Sequence, residues 1–197
     1  MRKRIFPYIL FFEIIRCFPH LLLFYVHKNK SFIKYDVLTW AKIYKLKYDP
    51  AICLLYLLSN FPEYRNVFYL RVGGWRYFLN IFCPKMSTLY IATNKIGKGL
   101  FIQHGFATII AAKSIGENCW INQQVTIGYL NEFELPEIGD NVIISAGAKV
   151  IGNVYIGDNS KIGANAVVLK NVPPNCTVVG VPAYIVRKNG LRVTESL

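Results

Sequence analysis

The chain has 197 residues, 53% of them hydrophobic and 15% aromatic, and 23 Lys/Arg against 11 Asp/Glu leave a net charge of +12. That length holds one domain, or one domain with a helical appendage, and hydrophobicity this high excludes an intrinsically disordered chain. The apolar stretches near the N-terminus, residues 5–12, 17–26 and 50–62, fall short of the about 20 apolar residues of a spanning helix.

Residues 1–86 carry 14 Lys/Arg and 4 Asp/Glu, a balance of +10, and 21 of the 29 aromatic residues; residues 87–197 carry 9 and 7. This break, beside Cys83-Pro84, reads as a domain boundary. The N-terminus imitates a signal peptide, with Arg2, Lys3 and Arg4 before an apolar run. Pro7, Glu13 and Arg16 interrupt it, and no small-residue cleavage site follows. Residues 2–30 mix Phe, Leu and Ile with Arg and Lys as an interfacial amphipathic helix does, so this segment is expected to cap an oligomer, to touch an anionic membrane surface, or both. Asp49-Pro50 predicts a helix start that ends at Ser59-Asn60. A second start at Phe61-Pro62-Glu63 predicts a helix running to Gly73-Gly74. Five cysteines, Cys17, Cys53, Cys83, Cys119 and Cys176, are odd in number and lack any CxxC. They read as buried thiols of a reduced compartment rather than a disulfide frame or a zinc site. A cytoplasmic protein, peripheral at the inner membrane face at most, is expected.

From Ile96 a branched aliphatic residue returns with a fixed step: Ile96, Ile102, Ile109, Ile115, Ile121, Ile127, Ile138, Ile144, Val150, Ile156, Ile162 and Val168. Nine intervals are six residues, one is seven (Ile102 to Ile109) and one is eleven (Ile127 to Ile138). Glycine follows directly at Gly97, Gly116, Gly128, Gly139, Gly157 and Gly163. Compact residues, among them Cys119, Val142, Ala148, Ser160 and Ala166, stand four places on. Neither a helical period nor strand alternation makes this pattern. A triangular solenoid does, with the aliphatic side chain inward and the glycine and compact residue at the corner. The expected fold is mainly β, a parallel β-helix over residues 87–186 behind a helical segment over 1–86, with 187–197 as a tail.

The runs Ile102-Gln103-His104-Gly105, Val125-Thr126-Ile127-Gly128, residues 144–152, residues 161–168 and Gly180-Val181-Pro182-Ala183 resemble the hexapeptide-repeat acyltransferases, and within them the serine acetyltransferase branch. The resemblance implies a left-handed helix, acetyl-CoA as acyl donor and no metal. It also implies a homotrimer, or a dimer of trimers, with the donor lying between neighbouring β-helices. It makes His104, the only histidine of the repeat half, the general base. An alcohol is a weak nucleophile at neutral pH and needs such a base within hydrogen-bond reach. Gly128 and Tyr129, at the mouth of an inserted loop, are candidates for amides that hold the oxyanion. Ala146, Lys161, Ala164, Val181 and Pro182 fall at the donor groove. No Walker motif and no GxGxxG opening a helix occur, and the basic segment carries no nucleic-acid motif.

The pattern departs from serine acetyltransferases at three places. Gln103 stands where a carboxylate precedes the base, Leu89 near a second family aspartate, and Glu134-Leu135 where the loop carries an Arg-His pair. Glu132, Glu134 and Glu137 make the loop acidic, which repels a carboxylate and accepts hydrogen bonds from neutral hydroxyls. Gln103, Glu132 and Glu134 are therefore candidate acceptor-binding residues. The expected activity is O-acetylation of a sugar hydroxyl on a surface-polysaccharide precursor, in the manner of capsular and exopolysaccharide O-acetyltransferases. Serine O-acetylation is the alternative, and a non-catalytic scaffold the lesser one.

Overall fold

A computed structural model describes residues 2–131 and 134–197, with side chains from residue 8 onward, and divides the chain at Met86 and Ser87 into two compact units. The first unit is helical: α1 (Arg2–Arg16), α2 (Phe18–Val26), α3 (Lys30–Ile43), α4 (Pro50–Asn60), α5 (Pro62–Val72) and α6 (Arg76–Phe82). The expected single amphipathic helix over 2–30 is instead two, bent by 70° between Arg16 and Phe18. Pro19 causes the break. It has no N–H to give and its ring crowds the carbonyl four residues back, which kinks or breaks a helix. No single helix among the described residues is long and apolar enough to cross a membrane.

The other starts are as the residue types dictate. Asp49 Oδ1 accepts from Ala51 N at 2.9 Å and Pro50 opens α4. Pro62 opens α5, which stops at Gly73 with φ 57°. The helices enclose Trp40, Leu54, Leu57, Leu58, Tyr64 and Phe68, all buried, with the Trp40 ring edge-on to Tyr64 at 5.0 Å. One ion pair lies inside this apolar set, Arg71 Nε to Asp36 Oδ2 at 2.8 Å. The Arg71 guanidinium also lies 5.3 Å from the Phe32 ring centre.

The second unit is a parallel β-helix with three faces. Face A stacks β1 (Leu89–Ile91), β3 (Thr108–Ile110), β6 (Thr126–Gly128), β9 (Lys149–Ile151) and β12 (Val167–Val168). Face B stacks β4 (Ser114–Ile115), β7 (Glu137–Ile138) and β10 (Tyr155–Ile156). Face C stacks β2 (Phe101–Ile102), β5 (Trp120–Ile121), β8 (Ile143–Ile144), β11 (Lys161–Ile162) and β13 (Cys176–Val179). The parallel register aligns Ile102, Ile121, Ile144, Ile162 and Val178 in one inward column, and Ile110, Ile127, Val150 and Val168 in another. Their side chains are shut from water, which is the aliphatic core the period required.

Three details differ from the sequence reading. Ile109 is 46% exposed and Ile110 is fully buried, so the inward step runs Ile102, Ile110, Ile115. The loop between β2 and β3 therefore holds two residues beyond the repeat rather than one. The recurrent glycines are not left-handed corners, for none of Gly97, Gly116, Gly128, Gly139, Gly157 and Gly163 has positive φ. At Gly97, Gly116 and Gly157 the reason is stacking: a Cβ on Gly116 would stand 2.6 Å from the Gly139 backbone, and one on Gly157 2.4 Å from Pro174 N. The left-handed corner residues include Asn118, Asn141, Asn159 and Asn175, a conformation asparagine tolerates better than most side chains. Residues 187–197, expected as a tail, complete an antiparallel hairpin of β14 (Tyr184–Lys188) and β15 (Leu191–Ser196) that extends face C. Asn189-Gly190 makes its turn with φ 50° and 83°, the primed geometry that matches strand twist.

Candidate active site

His104 sits at the corner between faces C and A, in the loop with the two additional residues. Its φ is 66°, and Gly105 and Ala107 follow at 64° and 51°. A left-handed conformation costs a residue with a Cβ about 1–2 kcal/mol, so the surrounding bonds must impose it. Gln103 N donates to Ile121 O at 2.9 Å, Gly105 N to Gln103 O at 2.9 Å and Gln124 N to Phe106 O at 3.0 Å. The loop is thereby tied to the next coil on both sides of His104, and the imidazole is held out to solvent.

Gln103 is half-buried and its Oε1 accepts from Trp120 Nε1 at 3.1 Å. Trp120 is half-buried too, edge-on to Phe101 at 4.5 Å. The same Nε1–H lies 2.7 Å from Asn122 Oδ1, so the indole N–H is shared between Asn122 and Gln103. No hydrogen bond or ion pair reaches the His104 ring among the described residues. Four carboxylates of the helical unit and its neighbour are engaged elsewhere: Glu117 with Lys98, Glu13 with Arg16, Asp36 with Arg71, and Asp49 as a cap.

The face C register ends with Gln103, Asn122, Ser145 and Gly163 in line; beyond the two inserted residues the corner bonds align Phe106, Gln123, Ala146 and Ala164 in successive coils, with His104 in the insertion just before that column. Backbone bonds continue down this corner, with Gly147 N to Gln123 O at 3.1 Å, Asn165 N to Ala146 O at 2.9 Å and Val167 N to Gly180 O at 3.0 Å. Val181 and Pro182 come next and are exposed. His104, Ala146, Ala164, Val181 and Pro182 thus share one edge of the solenoid, where two alanines leave its wall shallow. Gln123 is the residue on this edge that sequence reasoning passed over. Its Oε1 is buried and has no hydrogen-bond partner, an arrangement that costs free energy until a donor arrives. Its signal was positional, one coil after His104.

Other candidates lie apart. Gly128 and Tyr129 end β6 at the corner between faces A and B, about 13 Å along the strand from Gln124 at about 3.3 Å per residue. Within one chain they do not meet His104. Lys161 opens β11 and lines a groove of about 510 Å³ with Asn159, Asn175, Arg187 and Asn189, on the side of the B–C corner. Glu134 is half-buried after the loop, its N–H bonded to Asn131 O at 3.2 Å. Glu132 lies outside the described residues.

Residues 136–170 match the family model described as bacterial transferase hexapeptide (six repeats). A serine acetyltransferase of Staphylococcus aureus (strain Mu50 / ATCC 700699) is 52% identical over 106 residues, which are 52% of this chain and 50% of that protein. The chain therefore spans about half the length of the curated relatives it matches. The soybean serine acetyltransferase apoenzyme is 30% identical with a TM-score of 0.58, over 80% of this chain and 69% of the soybean chain. Serine acetyltransferase in complex with coenzyme A from Brucella abortus strain S19 is 27% identical with a TM-score of 0.64, over 84% and 70%.

These likenesses overturn the expectation of a sugar hydroxyl as acceptor, and with it the likeness to capsular and exopolysaccharide enzymes. That expectation weighed the charge of a few loop residues above a repeat half the chain long. Repeat period, three-faced solenoid, family model and solved relatives agree, and the chain belongs to the hexapeptide-repeat acyltransferases.

Proposed function

We propose that this chain is an acetyl-CoA-dependent serine O-acetyltransferase with His104 as general base. The observation that carries the reading is the corner edge, where an exposed, left-handed His104 shares the corner with Gln123, Ala146 and Ala164, in a chain whose repeat half is 52% identical to a serine acetyltransferase. His104 takes the proton of the serine hydroxyl as its oxygen attacks the thioester carbonyl. When the tetrahedral adduct collapses, the C–S bond breaks and His104 returns the proton to the departing thiolate. No covalent enzyme intermediate is required. Gln123 supplies a buried acceptor for a ligand N–H, and the shallow wall at Ala146 and Ala164 admits the extended pantetheine arm.

The test is release of free thiol from acetyl-CoA with L-serine as acceptor. Serine-dependent release with O-acetylserine as product is expected; release equal with and without serine overturns the assignment of acceptor.

We further propose that the working form is a homotrimer. Tyr90 and Ile109, register partners on the outside of face A, are 63% and 46% exposed, and a neighbouring solenoid would cover them and wall the corner groove. Light scattering on the purified full chain is expected to give three copies per particle. A monomer that acetylates serine overturns this.

A further inference from the structure

The helical unit holds a cluster that the transferase chemistry does not use. Cys17, at the break between α1 and α2, and Cys83, at the end of α6, are both fully buried with their sulfurs 3.5 Å apart. A ring nitrogen of His20 joins them, the three ligand atoms lying within 4.8 Å of one another. The tautomer of His20 follows from its neighbour. The single hydroxyl proton of Tyr69 goes to Cys83 O at 2.6 Å, so at 3.1 Å the same oxygen can only accept from His20 Nε2. The proton is therefore on Nε2 and Nδ1 is left as a bare lone pair. That Nδ1 is buried in a residue with no exposure and has no hydrogen-bond partner, a condition that costs free energy when nothing occupies it.

We propose that Cys17, His20 and Cys83 bind a zinc-type divalent cation, with two thiolates and the His20 Nδ1 as ligands. Two thiolates and an imidazole suit a tetrahedral soft-to-borderline metal. At about 2.3 Å per Zn–S bond, two thiolates on one tetrahedral ion stand roughly 3.8 Å apart, close to the spacing already present. The fourth position is left to a water, with Glu13 Oε2 3.9 Å from Cys17 Sγ on one side of the site. Charge balances: two thiolates offset the cation, their two protons leave to solvent on binding, and Arg16 with Glu13 forms a neutral pair beside them.

The surroundings are those of a ligand set. Tyr69 orients His20 through the nitrogen that does not ligate, as outer-shell groups do. Arg16 Nη1 donates to Cys83 Sγ at 3.3 Å, the N–H···S contact a thiolate accepts. Burial, with the charges of Arg16 and Arg65 behind it, holds His20 down at about 4, and so neutral. The hydrogen bond between the two thiols, with Arg16 assisting, lowers Cys83 against the effect of burial, while the same bond and burial raise Cys17. The sequence hid this because Cys17-Phe18-Pro19-His20 has no CxxC, and its third ligand lies 66 residues on. A bound ion would tie the bend at Cys17 to the last turn before Pro84.

The test uses the full-length protein, reduced and stripped of metal, titrated anaerobically with Co²⁺. A thiolate-to-cobalt charge-transfer absorption saturating at one ion per chain is expected. Cys17→Ser and Cys83→Ser should each lose it, and Cys53→Ala should keep it. Absence of the band in the wild type, or its survival in either serine variant, overturns the proposal. Because those variants can also fail to fold, alkylation of the wild-type protein is followed by mass spectrometry with and without Zn²⁺. Zinc should protect Cys17 and Cys83 together; equal labelling overturns the site. So does a Cys17–Cys83 disulfide formed equally fast by peroxide with and without zinc.

Discussion

Replacing His104 by Ala is expected to lower the turnover number by about 10²–10⁴-fold, the usual contribution of a positioned base, while the affinity for CoA stays near that of the parent. The asymmetry follows from the geometry. His104 stands at the head of the corner edge, and Ala146, Ala164, Val181 and Pro182 lie in later coils of the same edge. Loss of the imidazole removes a group that acts on the reacting hydroxyl and leaves the rest of the groove in place. Backbone strain is the competing cause of any defect, since residue 104 has φ 66° and alanine tolerates that region less well than asparagine. His104→Asn separates the two, because asparagine keeps the backbone conformation and lacks the base. Steady-state kinetics of both variants with serine and acetyl-CoA, and calorimetric titration with CoA, make the measurement. Turnover preserved in His104→Asn would put the base elsewhere.

Asp36→Ala is expected to destabilise the helical unit by about 3–5 kcal/mol, the scale seen when one member of a buried ion pair is removed. Side-chain exposure is 8% for Arg71 and 2% for Asp36, with Arg71 Nε and Nη2 at 2.8 and 3.4 Å from the carboxylate. Without Asp36 the guanidinium stays among Phe32 and the surrounding helices with its main counter-charge gone. The same argument predicts recovery of most of the loss in an Asp36→Leu/Arg71→Met double variant, which removes both charges and keeps apolar volume. Denaturant unfolding of the full chain, followed by far-UV circular dichroism, reads both. A double variant no more stable than Asp36→Ala would mean that the loss lies in packing rather than in the orphaned charge.

Some of these features were visible from residue types and some were misread. The hairpin of β14 and β15 is legible in Asn189-Gly190, a strong short-range turn signal, between two runs that alternate apolar and polar residues. Pro19 marks a place where a helix kinks or breaks, but Pro7 lies inside α1, so residue type alone does not say which proline ends a helix. Ile109 against Ile110 was not legible. Both are isoleucine, and only the stacking on Ile127 and Ile91 chooses the inward one. The glycines were noticed for the wrong reason. Their position after each aliphatic residue is periodic, whereas the need for them arises from the backbone of the following coil, 2.6 Å from where a Cβ would sit on Gly116.

What the sequence determined by itself is whatever repeats or caps locally. The branched aliphatic step specified a three-faced solenoid, because no other regular structure returns a side chain to the interior every six residues. Asp49-Pro50 and Pro62 started two helices through bonds within a single turn. What only the tertiary structure decided depends on residues far apart in the chain. It placed Trp120 on Gln103, set Gln123 one coil from His104, and brought Cys83 to Cys17 and His20. Such partners carry no mark of one another in the sequence, because their proximity is set by coil register and helix packing, which belong to the whole chain rather than to any window of it.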